Sequence, residues 1–116
     1  MVIPTRMSKA IALDEHTAAH LAELFGAFSD MSRVQIISVL AQAEQNVGKL
    51  AQAVGLSQPA VSHHLRALRQ LRLVTVRKAG RHAFYSLDEH VADLFRHGLD
   101  HVQNGIRILG QSFPNL

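Results

Sequence analysis

The stretch that decides the fold runs from residue 47 to residue 71 and reads VGKLAQAVGLSQPAVSHHLRALRQL. Its first part, Val47–Val54, has apolar residues at helical spacing, and Gly55 stands where a helix commonly ends. Ser57 then offers a typical helix N-cap, and Pro59 falls in the first turn, where its missing N–H costs nothing. The buried stripe of this second helix is predicted to consist of Val61, Leu65, Leu68 and Leu71. Two short helices joined by a tight turn predict a helix-turn-helix, a motif that commonly places its second helix in the major groove of DNA.

Two further helices are predicted before this stretch. The first is capped by Asp14 or Thr17 and runs to about Phe28, with apolar residues at three- and four-residue spacing. The second begins after Asp30, which is another residue type that commonly caps helices. The inward-facing residues of this second helix are predicted to be Val34, Ile37 and Leu40 or Ala41.

The spacing of apolar residues changes after the helix-turn-helix. Residues 73–77 and 82–87 have the pattern of two strands, and the Gly-containing segment 78–81 joins them as a hairpin. A last helix is predicted from about Asp88 to Asn104. The predicted fold class is therefore mostly α (α+β), a winged helix-turn-helix with a two-stranded β-hairpin wing.

The chain has 116 residues, which is enough for one domain and not for two. We expect a flexible arm at residues 1–12, a winged-helix domain at 13–104 and a C-terminal tail at 105–116. No apolar run approaches the ~20 residues that a membrane span requires, and the N-terminus lacks a signal-peptide core. These features predict a cytoplasmic protein without a membrane partner. The absence of cysteine excludes disulfides, thiolate metal sites and thiol redox switches.

Charge is distributed unevenly along the chain. Residues 45–87 contain seven lysine and arginine residues and no acidic residue, whereas all nine acidic residues lie outside this segment. A chain with one strongly basic part favours an anionic partner, and double-stranded DNA is the first candidate. The alternative is that these charges form only a solvated face.

The residues expected to contact DNA fall on the second helix of the motif and on the hairpin. Gln, Ser and Arg side chains can reach base edges, whereas Arg and Lys mostly contact phosphates. The predicted contacts are Ser57, Gln58, Ser62, His63, Arg66 and Arg69 on the helix, and Arg77, Lys78 and Arg81 on the wing. An enzyme is not expected, because the chain has no G-x-S-x-G motif, no phosphate-binding Gly loop and no H-E-x-x-H motif.

Four segments together resemble one known family. They are LFGAFSDMSR at 24–33, LAQAVGLSQPAVSHHLRAL at 50–68, LRLV at 71–74 and RKAGRHAFY at 77–85. Their order and spacing are similar to those of the ArsR/SmtB winged-helix repressors over roughly residues 20–104. The resemblance implies a homodimer with a helical interface, formed by the first and last helices, that binds a palindromic operator. Members of this family typically repress an operon until an inducer, often a metal ion, releases them from DNA.

Two of the metal-site types known in this family are excluded by the residues present. Thiolate sites are impossible without cysteine. Where some members carry Cys and Asp at the start of the third helix, this chain has Asn46 and Lys49, and a lysine repels a divalent cation. Arsenic(III), lead and other thiolate-dependent inducers are therefore not expected.

The last helix carries histidine and carboxylate residues on one side. At about 100° per residue, His97, His101 and Asn104 fall within roughly 40° of His90 on the helical wheel. His90 and His101 are nevertheless about 16 Å apart along the axis, too far for one ion with Zn–N distances of ~2 Å. Two such helices packed antiparallel would bring Asp88 and His90 of one subunit to His101 of the other.

This arrangement resembles the family's last-helix motif, Asp-x-His followed by His-x-x-Glu or His-x-x-His. Asp88, His90 and His101 match it, but Asn104 stands where Glu or His is usual, so the fourth ligand stays open between His97, Asp100 and water. Nitrogen and oxygen ligands without sulfur favour Zn(II), with Co(II) or Ni(II) as further options. Two alternatives remain open. In the first, the histidines are only polar residues of the dimer interface and bind no metal. In the second, the protein responds to an inducer that is not a metal, or has no inducer.

Overall fold

The computed structural model describes residues 10–108, with side chains to residue 105. Within that range the chain forms five helices and three strands. These are α1 (Glu15–Ala27), α2 (Met31–Leu40), β1 (Gln45–Asn46), α3 (Val47–Val54), α4 (Gln58–Gln70), β2 (Val74–Ala79), β3 (His82–Leu87) and α5 (Glu89–Ile108). Most of the expected arm, and residues 109–116 of the expected tail, lie outside the described residues.

Side-chain caps begin the first four helices. Asp14, Asp30, Asn46 and Ser57 each accept a hydrogen bond from the backbone N–H three residues further on. At α1 the cap is Asp14, whose Oδ1 accepts from the backbone N–H of Thr17 at 2.8 Å. The predicted caps at Asp30 and Ser57 are confirmed, and Gly55 ends α3 with a φ of 71°, a left-handed conformation that glycine adopts without a Cβ clash.

The end of α4 has an unexpected backbone conformation. Arg72 lies in the left-handed region with a φ of 59°. Its N–H donates to the carbonyl of Arg69 at 2.9 Å, and the N–H of Leu73 donates to the carbonyl of Leu68 at 2.9 Å. These two bonds form a Schellman motif, which is usually completed by glycine, so the cap is made with a residue that is strained in this position.

The core lies around α2, which packs against α3, α4, α5 and β3. Ile36 and Ile37 of this helix are both fully buried, although only Ile37 was predicted to face inward. The predicted stripe on α4 is confirmed at Val61, Leu65 and Leu68, whereas Leu71 is partly exposed. The core also contains Ala27, Leu40, Leu50, Ala51, Leu73, Val74 and Val91.

The predicted hairpin is present, and a third strand joins it. β2 and β3 pair antiparallel from Val74↔Leu87 to Ala79↔His82, around a turn whose Gly80 has a φ of 62°. β3 has the predicted bounds, whereas β2 begins one residue later and ends two residues later than the expected 73–77. The two-residue β1, which was not predicted, pairs with the other side of β3 and gives the sheet order β1-β3-β2.

The last helix begins as expected and continues beyond Asn104 to Ile108. Asp88 caps it, because its Oδ1 accepts from the backbone N–H groups of His90 at 2.9 Å and Val91 at 3.2 Å. The backbone N–H of Asp88 also donates to the carbonyl of Leu73 at 2.9 Å, which joins the start of α5 to the turn between α4 and β2. None of the helices in the described part of the chain is long and apolar enough to cross a membrane.

Candidate DNA-binding surface and metal site

The outer face of α4 is polar and basic. Val61, Leu65 and Leu68 hold the helix against the core, so the opposite side of the helix faces outward. The six helix residues predicted to contact DNA are all exposed: Ser57, Gln58, Ser62, His63, Arg66 and Arg69. The hydroxyl oxygen of Ser57 also accepts from the N–H of Ala60 at 3.2 Å, so this residue caps α4 as well.

The two neighbouring histidines of α4 have different surroundings. His64 is partly buried, and its Nδ1 accepts a hydrogen bond from Nε of Arg33 on α2 at 3.2 Å. This bond ties α4 to α2 and makes His64 part of the scaffold. His63 is exposed, and its ring meets that of His64 edge-on with centroids 6.0 Å apart. Only His63 is therefore available to a partner.

A polar groove lies where α3 and α4 begin. It has a volume of about 450 Å³ and is lined by Asn46, Gly48, Lys49, Ala51, Gln52, Leu56 and Gln58. Lys49 is exposed here, and the backbone N–H groups at the start of α3 carry partial positive charge. Lys49, one of the seven basic residues of the acid-free segment, was not among the predicted DNA contacts, and it adds a cation to the surface of the helix-turn-helix.

On the wing, Arg77 differs from the other basic residues. Its guanidinium forms a bidentate ion pair with Glu44, with Nε–Oε2 and Nη2–Oε1 distances of 2.8 and 2.6 Å. It also lies 4.9 Å from the centre of the Phe84 ring. Lys78 and Arg81 are exposed at the tip of the hairpin. The structure therefore leaves two of the three predicted wing residues at the tip and engages the third within the protein.

Glu44 itself was missed by the sequence analysis. Its carboxylate also accepts from the hydroxyl of Ser86 at 3.0 Å. The hydrogen bond from Arg77 lowers the pKa of Glu44, and the same bond raises the pKa of Arg77. The only sequence signal was position, because Glu44 is the last acidic residue before the acid-free segment.

The candidate metal ligands lie along α5. Oδ1 of Asp88 is 3.6 Å from Nδ1 of His90, whose side chain is 97% exposed. His97 and His101 are exposed further along the helix, and the eleven residues from His90 to His101 span about 16 Å. Among the described residues, no group of three or more His, Cys, Asp or Glu side chains could hold a metal ion within one chain.

Asn104 is engaged with a neighbour on the same helix. Its amide nitrogen donates to Oδ1 of Asp100 at 2.7 Å. The amide therefore orients the Asp100 carboxylate, one of the groups considered for the fourth ligand position. Asn104 and Asp100 are thus joined by a hydrogen bond next to His101 in the sequence.

An apolar groove of about 490 Å³ lies between α5 and the first two helices. It is lined by Phe25, Phe28, Val34, Leu94, Phe95, Gly98, Leu99 and Val102. Phe25 and Val102 are 53% and 43% exposed in the single chain. Both helices expected to form a dimer interface, α1 and α5, therefore contribute exposed apolar side chains to this face.

This fold and its basic recognition helix define a winged-helix, DNA-binding transcriptional regulator. Comparison with known proteins agrees: residues 30–76 match the model of the bacterial regulatory protein arsR family. The transcriptional repressor SmtB homolog of Synechocystis is 46% identical over 96 residues, which cover 82% of this chain and 71% of that protein. The chain belongs to the ArsR family, as its resemblance to the ArsR/SmtB repressors predicted, and it is not an enzyme.

Two further relatives give the range of the similarity. The cadmium resistance regulatory protein CadC homolog of Staphylococcus aureus is 42% identical over 76 residues, covering 64% of this chain and 63% of that protein. The homodimeric winged helix-turn-helix domain of Mb0332 from Mycobacterium bovis superposes with a TM-score of 0.70 at 29% identity. That superposition covers 90% of this chain and 98% of the Mb0332 domain.

Proposed function

We propose that this protein is a homodimeric transcriptional repressor that releases operator DNA when a divalent metal, zinc in the first place, binds between its subunits. The observation that carries the proposal is the arrangement of ligands on α5. Asp88 and His90 are neighbours at the start of the helix, whereas His101 lies three turns away. These three groups can meet at one ion only when two copies of α5 lie side by side.

The exposed apolar face of α1 and α5 supports the dimer. An apolar patch of this kind on a single chain commonly marks a protein–protein interface. The similar Mb0332 domain is homodimeric, which favours the same assembly here. We place the winged-helix DNA-binding and dimerisation domain at residues 13–104, and the dimer in the cytoplasm, where its DNA target lies.

The proposed contacts with DNA follow the exposed face of α4 and the tip of the wing. Arg66 and Arg69 have the charge and length to reach guanine edges or phosphates, and Lys78 and Arg81 suit phosphates near the wing. Arg77, predicted as a contact as well, is already paired with Glu44. Ser57, Gln58, Ser62 and His63 complete the proposed contact set.

The donor set on α5 fits zinc in three positions. Oδ1 of Asp88 accepts the two capping N–H groups, and among the described residues no hydrogen bond to Oδ2 is found, so this oxygen can reach a metal. Two imidazoles and one carboxylate suit tetrahedral Zn(II) or Co(II), and Ni(II) if further ligands join. Asp100, His97 or water would fill the fourth position. A bound metal would supply the attraction that draws two α5 helices into one arrangement.

Two backbone hydrogen bonds connect the start of α5, where the metal would bind, to the recognition helix α4. Asp88 donates its N–H to Leu73, and Leu73 donates its own N–H to Leu68 in the last turn of α4. A displacement at the start of α5 therefore acts directly on the recognition helix. The metal shifts the equilibrium only by its difference in affinity for the two conformations, and typical couplings are about 1–3 kcal/mol.

The test is a zinc titration of the apo protein bound to a fluorescent fragment of its own promoter, followed by anisotropy at fixed salt. Wild type should release the DNA at sub-micromolar free zinc. His101→Ala should bind DNA as wild type does without metal and lose the response, whereas Arg66→Ala should bind DNA weakly and keep its zinc affinity. Equal DNA binding with and without zinc, cobalt and nickel would overturn metal sensing.

The second candidate is a winged-helix regulator whose inducer is not a metal, or that has none. It is favoured by Asn104, because a neutral amide is a poor zinc ligand at the position where the family carries Glu or His. In that case excess EDTA and zinc should leave operator affinity unchanged, and His101→Ala should behave as wild type in every assay.

A further inference from the structure

The clasp formed by Glu44, Arg77 and Ser86 links both strands of the wing to the segment that leads into the helix-turn-helix. Arg77 lies on β2 opposite Phe84 of β3, and Ser86 lies on β3. Both side chains donate to the same oxygen, Oε2 of Glu44, at 2.8 and 3.0 Å. Glu44 therefore binds the two strands of the hairpin at once.

Glu44 also stands next to the start of the DNA-binding motif. The two residues that follow it form β1, which pairs with β3 at Gln45↔Tyr85 and Asn46↔Phe84. Asn46 then caps α3 by accepting from the N–H of Lys49 at 2.8 Å. One continuous segment of three residues thus holds the wing through Glu44 and β1, and holds α3 through its cap.

The clasp affects the orientation of the wing more than the stability of the fold. The side chains of Arg77 and Glu44 are 58% and 31% exposed, and ion pairs at that exposure contribute little to the free energy of unfolding. A two-pronged arginine–carboxylate pair, however, defines the orientation of both groups, and the Phe84 ring restricts the guanidinium further. The clasp therefore adds, beside the β1–β3 pairing, a directional restraint on the wing relative to α3.

We propose that Glu44 is a positioning residue of the DNA-binding surface, which holds the wing through Arg77 and Ser86 so that its tip meets the DNA backbone at a defined angle. Arg77 then acts through Glu44 and is not itself a phosphate contact. This inference rests on the proposed function only in requiring that the wing meets DNA. It assigns the tip contacts to Lys78 and Arg81.

The direction in which DNA affinity changes when the Glu44 carboxylate is removed distinguishes a positioning role from no role at all. An acidic residue without a role, placed near a DNA-binding surface, repels phosphates, so its removal should tighten DNA binding. A positioning residue gives the opposite result, since its removal lets the wing move. The charge of Arg77 is a second discriminator, because a phosphate contact keeps most of its effect when arginine becomes lysine, whereas a two-pronged pair does not.

The experiment measures the affinity of the metal-free protein for its promoter fragment by anisotropy over a series of salt concentrations. Glu44→Gln should weaken binding, on the order of tenfold if the tip contacts are lost. Arg77→Lys should weaken binding as much as Arg77→Gln does. The double variant Glu44→Gln with Arg77→Gln should be no weaker than either single variant, because both changes break one unit.

Asp93→Asn is the matched control, because Asp93 also pairs with an arginine, Arg96, at 3.1 Å, but both residues of that pair lie on α5 and neither lies on a wing strand. It should bind DNA as wild type does or slightly more tightly. Circular dichroism and thermal unfolding check that each variant is folded, and hydrogen exchange of the β1–β3 amides should be faster in Glu44→Gln than in Asp93→Asn.

Unchanged or tighter binding by folded Glu44→Gln would overturn the positioning role. So would an Arg77→Lys variant with wild-type affinity, combined with an Arg77→Gln variant whose salt dependence is shallower by about one phosphate contact. Arg66→Ala keeps the two proposals apart. If it weakens binding while Glu44→Gln does not, only the positioning role fails, and if wild type does not bind the fragment, the proposed function fails.

Discussion

Asp88 is the residue at which a structural role and the proposed metal-binding role can be separated most sharply. Its Oδ1 caps α5 by accepting from His90 and Val91, and the same carboxylate stands 3.6 Å from the His90 imidazole. Asparagine keeps an oxygen in the capping position but removes the negative charge that a metal requires. Alanine removes both the cap and the ligand. The pair Asp88→Asn and Asp88→Ala therefore isolates each role.

The magnitudes follow from the two contacts. Loss of an N-cap typically costs about 1 kcal/mol, and asparagine caps nearly as well as aspartate. For a domain of this size, 1 kcal/mol lowers the Tm by roughly 4 °C. Asp88→Ala should therefore unfold about 4 °C below wild type without metal, whereas Asp88→Asn should stay within about 1 °C of wild type.

The assay is thermal unfolding at one protein concentration, first with EDTA and then with zinc. Free zinc at 100 times its Kd should stabilise the wild type by about 2.7 kcal/mol per site, which raises the Tm by roughly 10 °C. Asp88→Asn should lose most of this increase although its metal-free stability is intact. Asp93→Asn, which removes an acidic residue from the same helix, should keep the increase.

Two results would refute this reasoning separately. A zinc-induced increase in Asp88→Asn equal to that of Asp93→Asn would show that the Asp88 carboxylate is not a ligand. Equal metal-free Tm values for Asp88→Ala and Asp88→Asn would show that the capping hydrogen bonds do not stabilise α5.

Three further predictions concern stability. Leu65→Ala should lower the free energy of unfolding in urea by about 2–5 kcal/mol, because this side chain is 1% exposed in the core, and a smaller loss would mean that the cavity collapses. Arg72→Gly should raise it by about 0.5–1 kcal/mol, because glycine relieves the left-handed strain, whereas Arg72→Ala should not. Hydrogen bonds from the backbone N–H of Arg33 and the side chain of Arg77 lower the pKa values of Asp30 and Glu44, respectively. The stabilisation that these two carboxylates give the fold is present above the ordinary carboxyl pKa and is lost as the pH falls below about 4. The free energy of unfolding of Asp30→Asn should therefore fall less than that of wild type when the pH is lowered through this range.

The helices could be predicted because their signals are local. Asp30 and Ser57 cap the helix that follows within three residues, and Gly55 ends α3 by its own conformational freedom. None of these features depends on a distant partner. The helical bounds therefore follow closely from the sequence, apart from the end of α5.

The clasp formed by Glu44, Arg77 and Ser86 could not be predicted, because its partners are far apart in the chain. Glu44 and Arg77 are 33 residues apart, and β1 has only two residues, too few to show an alternating pattern. Arg72 was missed for another reason, since a left-handed helix end is normally recognised by glycine. The proposed metal site is harder still to predict from sequence, because its ligands come from two copies of α5 and therefore from two separate chains.

Four residues at the base of the wing connect the proposed metal site on α5 to the DNA-binding part of the subunit. Leu73 follows α4, donates its N–H to Leu68 of that helix and accepts from the N–H of Asp88, while the adjacent Val74 and Leu87 form the first pair of the β2–β3 ladder. A displacement of Asp88 therefore acts on α4 and the wing together, and Glu44 ties the wing to α3. The DNA-binding half of each subunit should consequently move as one body.

In a dimer, metal binding should therefore change the distance between the two α4 helices without changing the shape of either subunit. The chain has no cysteine, so Ser62→Cys gives one spin-label site on the exposed face of each α4. Zinc should shift the distance between the two labels, and the shift should disappear with His101→Ala. Two labels within one subunit, at Gln52→Cys and Lys78→Cys and diluted with unlabelled protein, should keep their distance. A change within the subunit and none between subunits would refute rigid-body release, because it would show that the wing moves relative to α3 of the same subunit.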